Sequence, residues 1–245
     1  MIGDTRRTVV TVAIAVVVAA LLLGGGYGTW YLFLRPAGPA AVGETAVPLP
    51  STVGTAQPLT GGIDGAWKVD SSIGSFSDFS SSWVGYRVQE QLASIGGNIA
   101  VGRTPDVSGT MTIAGTMVTA ASFEADLTTL ASDDPRRDGR LRDQGIETGQ
   151  FPKAQFKLTS PIDLGSVPAN GTEISLTASG QLTLHGQTKD VQIPLKATLS
   201  GSTITVTGSL TIVWTDYGIT KPSSFAVVSV ADQGTLEFQL RFTRG

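Results

Sequence analysis

Ile174-Ser175-Leu176-Thr177-Ala178-Ser179-Gly180-Gln181-Leu182-Thr183-Leu184 alternates from end to end, with apolar side chains on even numbers, Gly180 apart, and hydroxyl or amide side chains on odd ones. A period of two is what a strand with one buried face requires, because successive side chains leave opposite sides of the pleat. His185-Gly186 then supplies turn chemistry, and the pattern resumes with Val191, Ile193, Leu195, Ala197 and Leu199 opposed by Asp190, Gln192, Lys196 and Thr198. After Ser200-Gly201 a third run sets Ile204, Val206, Leu210, Ile212 and Trp214 against Thr203, Thr205, Thr207, Ser209 and Thr211. A last run sets Leu236, Phe238, Leu240 and Phe242 against Thr235, Glu237, Gln239 and Arg241.

Upstream, Trp83–Leu92, Val107–Ile113, Met117–Leu127 and Ala154–Ile162 are further strand candidates, with turn residues at Ala114-Gly115 and Asn170-Gly171. About eight antiparallel strands, each apolar on one side, need a common interior. With few helices to cover a sheet, closure on itself is the expected solution. A barrel of roughly eight strands is either filled by its own side chains or holds one small ligand. Periodicity is compatible with both. The interruption Ser132–Gly149 crowds Asp133, Asp134, Arg136, Arg137, Asp138, Arg140, Arg142 and Asp143 together. Pro135 behind an acidic cap predicts a short helix across one mouth. The fold class expected is all-β: an antiparallel eight-stranded barrel with a short helix at one mouth, preceded by a single N-terminal transmembrane helix.

That last element comes from the other end of the chain. Between Arg7 and Arg35 lie 27 residues without a charge. As a helix, Thr8–Leu34 would extend roughly 40 Å, enough for a hydrocarbon core of about 30 Å. Tyr27, Trp30 and Tyr31 suit the far interface, and Arg6 and Arg7 favour a cytoplasmic N-terminus. A cleaved signal peptide with Val9–Leu23 as its apolar region is the rival reading. The aromatic continuation Trp30-Tyr31-Leu32-Phe33-Leu34 is a poor cleavage region. Either way the remainder is exported. The expected organisation is a cytoplasmic stub at 1–7, a transmembrane helix or signal anchor at 8–34, a flexible Pro/Gly/Ala/Thr-rich linker at 35–62, and the barrel at 63–245. The localisation expected is a single-pass membrane protein with an extracytoplasmic C-terminal domain.

Composition removes several function classes. The net charge is −3 and the charges are sparse, which argues against a nucleic-acid partner. The chain has no cysteine and one histidine, so neither a thiolate nor a multi-histidine zinc site can be assembled. His185 sits in a predicted turn, where a structural or solvent-exposed role is expected. No phosphate-cradling loop, dinucleotide fingerprint or nucleophile elbow is present, so neither cofactor nor catalytic residue is assigned.

The apolar faces name the candidate lining of the interior: Val84, Tyr86, Val88 and Leu92; Val107, Met111 and Ile113; Phe156 and Leu158; Leu182, Leu184, Ile193, Leu210, Ile212, Phe238 and Leu240. Ordinary core packing and ligand contact are both open to each of them. Glu90 shares the apolar parity of its strand. It either finds a buried partner or lies beyond the rim. The charged helix is either solvated and laced by its own salt bridges or turns some arginines inward, which makes Arg137 and Arg140 candidates for an anionic ligand head, since guanidinium groups match phosphate oxygens.

Five blocks, in order, carry a family resemblance: Trp67-Lys68-Val69-Asp70, Arg137-Asp138-Gly139-Arg140-Leu141-Arg142, Phe151-Pro152-Lys153-Ala154-Gln155-Phe156, Gly180–Thr188, and Trp214-Thr215-Asp216-Tyr217-Gly218-Ile219. Together they resemble the YceI-like domain family. A departure is the Ser71-Ser72 pair, where the family usually has His-Ser, and the additional residues before Trp83. Another is the glycine-bearing segment Gln89–Arg103, expected to reshape one mouth. The resemblance implies an extended lipocalin-like barrel, export, and an interior that binds long apolar isoprenoid lipids. Burial at about 0.8 kcal/mol per CH₂ gives each isoprene unit roughly 3–4 kcal/mol relative to water, before ordering costs. The partners expected are therefore an apolar isoprenoid lipid and the membrane, through the N-terminal helix. A homodimer is compatible with the sequence. The alternatives are a filled envelope module that works through its surface, or a hydrolase or isomerase acting on an amphipathic lipid.

Overall fold

Strand β1 (Gly65–Val69) and strand β2 (Trp83–Leu92) lie end to end along one edge of the C-terminal strand, and that arrangement organises the architecture. The computed structural model describes residues 38–42, 62–93, 96–222 and 227–245. The expected transmembrane segment at 8–34 lies outside them. Among the described residues no helix is long and apolar enough to cross a membrane.

The remaining strands are β3 (Gly96–Thr104), β4 (Val107–Ala114), β5 (Met117–Asp126), β6 (Ala131–Ser132), β7 (Lys153–Leu158), β8 (Ile162–Asp163), β9 (Glu173–Leu184), β10 (Gln187–Ser200), β11 (Thr203–Val213), β12 (Val227–Val230) and β13 (Gln233–Arg244). A short helix, α1 (Pro135–Arg140), continues into one wider turn at Leu141–Gly145. All strand pairs are antiparallel. β3 and β4 follow one another beside β2 and β1, and β6 continues β5 beside β3. The circuit then runs β5, β7, β9, β10, β11, β13 and returns to β1. Counting end-to-end pieces as one, this is a closed barrel of eight strands.

Local chemistry explains the joints. Leu184 pairs with Gln187, leaving His185 (φ 49°) and Gly186 (φ 71°) as a two-residue hairpin loop. Two consecutive positive φ values match the right-handed twist of the flanking strands. The expected strand Ala154–Ile162 breaks after Leu158, where Pro161 cannot donate to a ladder. The segment Gln89–Arg103 forms most of a regular hairpin, in which Val84 to Leu92 pair with Thr104 to Gly96.

Inward positions form two packed ends. At one end Trp67 and Phe242, both essentially inaccessible, pack with Ile63, Met111 and Ile113, and the Trp67 indole donates to Ile63 O at 2.9 Å. At the other, Leu127, Ile146, Leu184, Ile212, Tyr217 and Ile219 pack together beside Leu130 and Leu141.

The outward side of β13 is also buried, which alternation does not show. The excursion between β1 and β2 folds across it. Gln239 Nε2 donates to Phe79 O (3.1 Å) and Ser81 O (2.8 Å), while Arg241 Nη1 donates to Thr205 Oγ1 at 3.1 Å. Glu237, 1% exposed, accepts from Arg103 Nη2 at 3.0 Å and Arg87 Nη2 at 3.5 Å. The Arg103 guanidinium lies 3.7 Å from the centroid of Trp83 and 4.4 Å from that of Phe79. Residues 38–42, inside the stretch expected to be a linker, complete the cover. Arg87 donates to Pro39 O at 2.6 Å, Arg103 to Ala40 O at 2.9 Å, and Val42 N to Glu237 Oε2 at 3.3 Å.

Candidate functional site

The register brings the candidate lining residues onto one surface. Phe238 stands opposite both Val84 and Gly208, and Leu236 opposite both Tyr86 and Leu210. Phe156 stands opposite Phe123 and Leu182, and Ile193 opposite Ala178. With Val88, Met111, Leu158 and Ile212 on matching parity, all the apolar candidates face the interior.

Burial then divides them. Met111, Leu158, Leu182, Ile193 and Ile212 are fully buried, as are Tyr86 and Val88 beneath the helix. Val84, Phe156, Leu210 and Phe238 are only half-buried, and so are Leu195 and Leu236. Val84, Phe156, Leu195 and Phe238 pack against the first end and Leu210 and Leu236 against the second, so the six mark where the two ends face each other. A side chain that points into a closed cylinder and still keeps accessible surface borders space inside it. Phe123 belongs to the same surface, half-buried and 5.6 Å from the Phe242 centroid. Sequence reasoning did not select Phe123, Leu195 or Leu236 as candidates. Parity was the available signal for each of them. What it lacked was depth along the barrel.

The mouth is roofed by α1. Asp134 is its N-cap, accepting from Arg136 N at 2.9 Å, and Pro135 opens the first turn. Burial opposes ionisation of Asp134, but the hydrogen bonds from Arg136 prevail and hold its carboxyl below the ordinary value of 3.8. A depressed folded value means that the cap contributes fully above the ordinary pKa and is lost as the pH falls through the depressed one. Asp134→Ala is expected to cost about 1 kcal/mol. Amide exchange at Arg136 and Arg137, faster in the variant at neutral pH and converging with wild type in acid, checks it.

Arg137 does face inward. Its Nη2 lies 2.7 Å from Glu90 Oε1 and its Nη1 lies 2.6 Å from Asp133 Oδ1, while Asn98 Nδ2 donates to Glu90 at 2.6 Å. Glu90 is therefore buried and partnered rather than beyond the rim. The guanidinium expected to await an anion is already committed to carboxylates. Arg140, half-buried on the same helix, is not brought to Glu90 with it. Beneath them the Tyr86 hydroxyl is buried without a hydrogen-bond partner among the described residues. Burial pushes its pKa upward, so at neutral pH it is an O–H donor.

His185 is buried in its turn. Its Nδ1 lies 3.0 Å from Tyr217 O, its Nε2 lies 2.9 Å from Glu147 Oε2, and its ring packs on Phe151 at 4.3 Å. These contacts pin the β9–β10 hairpin to the turn after β11, which is the structural of the two roles expected of it. Among the described residues no three His, Asp or Glu side chains gather as a metal site.

The fold has solved counterparts. A polyisoprenoid-binding domain of Saccharophagus degradans implicated in plant cell wall breakdown superposes with a TM-score of 0.57 at 21% identity, over 74% of this chain and 100% of that one. BcnA of Burkholderia cenocepacia superposes with a TM-score of 0.52 at 21% identity, over 65% of this chain and 95% of its own. No curated protein matches. The YceI-like domain model matches residues 67–242, which run from within β1 to within β13 and take in every wall of the barrel. The chain belongs to the YceI-like domain family.

Proposed function

We propose that this chain is a non-catalytic lipid-binding protein, anchored by residues 8–34 and displayed outside the cytoplasm, whose barrel holds a polyisoprenoid or similarly long apolar molecule. The observation that carries this reading is the half-buried, inward-facing band of Val84, Phe156, Leu195, Leu210, Leu236 and Phe238 at the facing margins of two packed ends. Apolar surface left accessible in an enclosed space is stabilised by an apolar guest at roughly 25 cal/mol per Å² removed from water. The polyisoprenoid-binding activity of the Saccharophagus degradans domain supports the choice of guest. The Tyr86 hydroxyl offers a donor to a hydroxyl or carbonyl at one end of such a chain. A tether beside the bilayer keeps binder and reservoir at high local concentration. Because lipid tails are as apolar as the barrel wall, transfer between them is nearly balanced and exchange is feasible.

The test uses the full chain, extracted in mild detergent and examined by native mass spectrometry, followed by organic extraction. A mass excess matched by an apolar molecule in the extract is the expected result. An empty barrel that also takes up no added prenol would overturn the reading. Anchoring is tested separately. External protease on intact cells should degrade the barrel while the N-terminal segment stays with the membrane fraction. A protected barrel, or one released by alkaline carbonate, contradicts the proposed location.

A further inference from the structure

Four inward-facing aromatic rings of this barrel lie where a neighbouring strand has no side chain. Gly208 on β11 stands directly opposite Phe238 on β13. A Cβ placed on Gly208 would come 2.6 Å from Phe238 Cζ and 2.9 Å from Leu195 Cδ2. Gly102 on β3 bears the same relation to Tyr86 on β2, and Gly109 on β4 to Phe123 on β5. Gly180 on β9 is diagonal to Phe156 on β7, and its missing Cβ would fall within that ring's van der Waals radius. These are four separate strand pairs, with no strand used twice. A glycine inside a strand is unfavourable by roughly 0.5–1 kcal/mol and marks a place where something approaches the backbone closely. Here a ring of the lumen wall approaches all four, joined by the Ser122 carbonyl oxygen at Gly109 and the Lys157 carbonyl oxygen at Gly180.

We infer that these glycines set the bore of the lumen, and so determine how thick a guest the barrel accepts. Each lets a ring lie flat against the wall, in the volume of the absent side chain, instead of standing out across the interior. Phe238, Phe156 and Phe123 keep part of their surface accessible, as rings serving as wall rather than filling must. At Gly208 and Gly102 the obstructing atoms are all side-chain atoms, so a substitution there moves the ring and not the strand. A methyl group on Gly208 would force Phe238 to withdraw by about 1 Å to restore a carbon–carbon contact of roughly 3.5–4.0 Å. The withdrawal is toward the lumen.

This rests on the lipid-binding reading and is tested in the full chain with two probes, geranylgeraniol and an unbranched alkanol of equal carbon number. Gly208→Val, which also suits a strand, is expected to weaken the methyl-branched prenol roughly tenfold or more and the slimmer alkanol distinctly less. Adding Phe238→Ala to Gly208→Val should restore prenol binding. Phe238→Ala alone should admit a sterol that the wild-type barrel excludes, a readout that does not depend on how Gly208→Val folds. Prenol affinity unchanged in folded Gly208→Val, or a sterol still excluded by Phe238→Ala, overturns the inference while the lipid reading stands. A wild-type chain that takes up neither probe overturns the reading and the inference together.

Discussion

Glu237→Ala is expected to lower the unfolding free energy by about 3–5 kcal/mol, among the largest single-residue losses this barrel offers. The carboxylate is 1% exposed and receives Arg103 at 3.0 Å and Arg87 at 3.5 Å, with Arg103 itself 4% exposed. Taking these charges out of water is costly, and the pair offsets that cost only while both members are present. Alanine leaves Arg103 between Phe79 and Trp83 without its carboxylate. The ring contacts hold it there but cannot neutralise it. Burial already draws the Arg103 pKa downward, and the Glu237 hydrogen bond is what opposes that pull. The loss should appear as a lower urea midpoint at unchanged slope. Replacing Glu237 and Arg103 together by methionine should recover most of it, because an apolar pair of similar volume removes both desolvation costs. A double variant as unstable as Glu237→Ala would show that the contacts of Pro39, Ala40 and Val42, rather than the buried charge, carry the stability of this face. Exchange of the Val42 amide, which donates to Glu237, reports on that segment directly.

This polar layer marks where reading by alternation stops. Glu237, Gln239 and Arg241 occupy the outward parity of β13, as their sequence positions imply. Parity assigns a side, however, and does not say what lies against it. The cover comes from residues Asp70 to Ser82 and from 38–42, which have neither a helical nor a two-residue period to announce them. Inside the barrel, periodicity found β2 as Trp83–Leu92 and the hairpin turn at His185-Gly186, because strand and turn chemistry are local. It missed β3, where Gly96, Gly97 and Gly102 replace the apolar residues a pattern needs. Gly102 is there to receive Tyr86, so the property that hides the strand from sequence reading is the one that shapes the lumen. For Arg137 the sequence leaves a solvated and an inward placement open. Its partner, Glu90, is 47 residues distant in sequence, and only the barrel's closure brings them within 2.7 Å.

Depth along the barrel is the other quantity alternation omits, and it yields the sharpest expected contrast. Leu210 and Ile212 share one strand, one face and similar volume, yet Leu210 is half-buried opposite Leu236 while Ile212 is 5% exposed among Leu184, Tyr217 and Ile219. Leu210→Trp places an indole into space bordered by the accessible band. It should leave the melting midpoint within the shift of about 1 kcal/mol, since Leu210 packs only at the margin of that end and keeps accessible surface into which the indole can extend. Ile212→Trp inserts the same indole into a packed end and should cost about 1–3 kcal/mol or more through overpacking. Ligand uptake should separate the two in the opposite order. Leu210→Trp occupies the path of a chain-like guest and should abolish stoichiometric prenol binding, whereas Ile212→Trp, where it remains folded, should bind with modestly reduced affinity. The measurement is prenol titration by intrinsic fluorescence, paired with thermal melts of the same samples. If Leu210→Trp binds prenol as well as wild type does, the half-buried band is not the surface that meets the guest, and the lumen assigned here would have to lie elsewhere in the barrel.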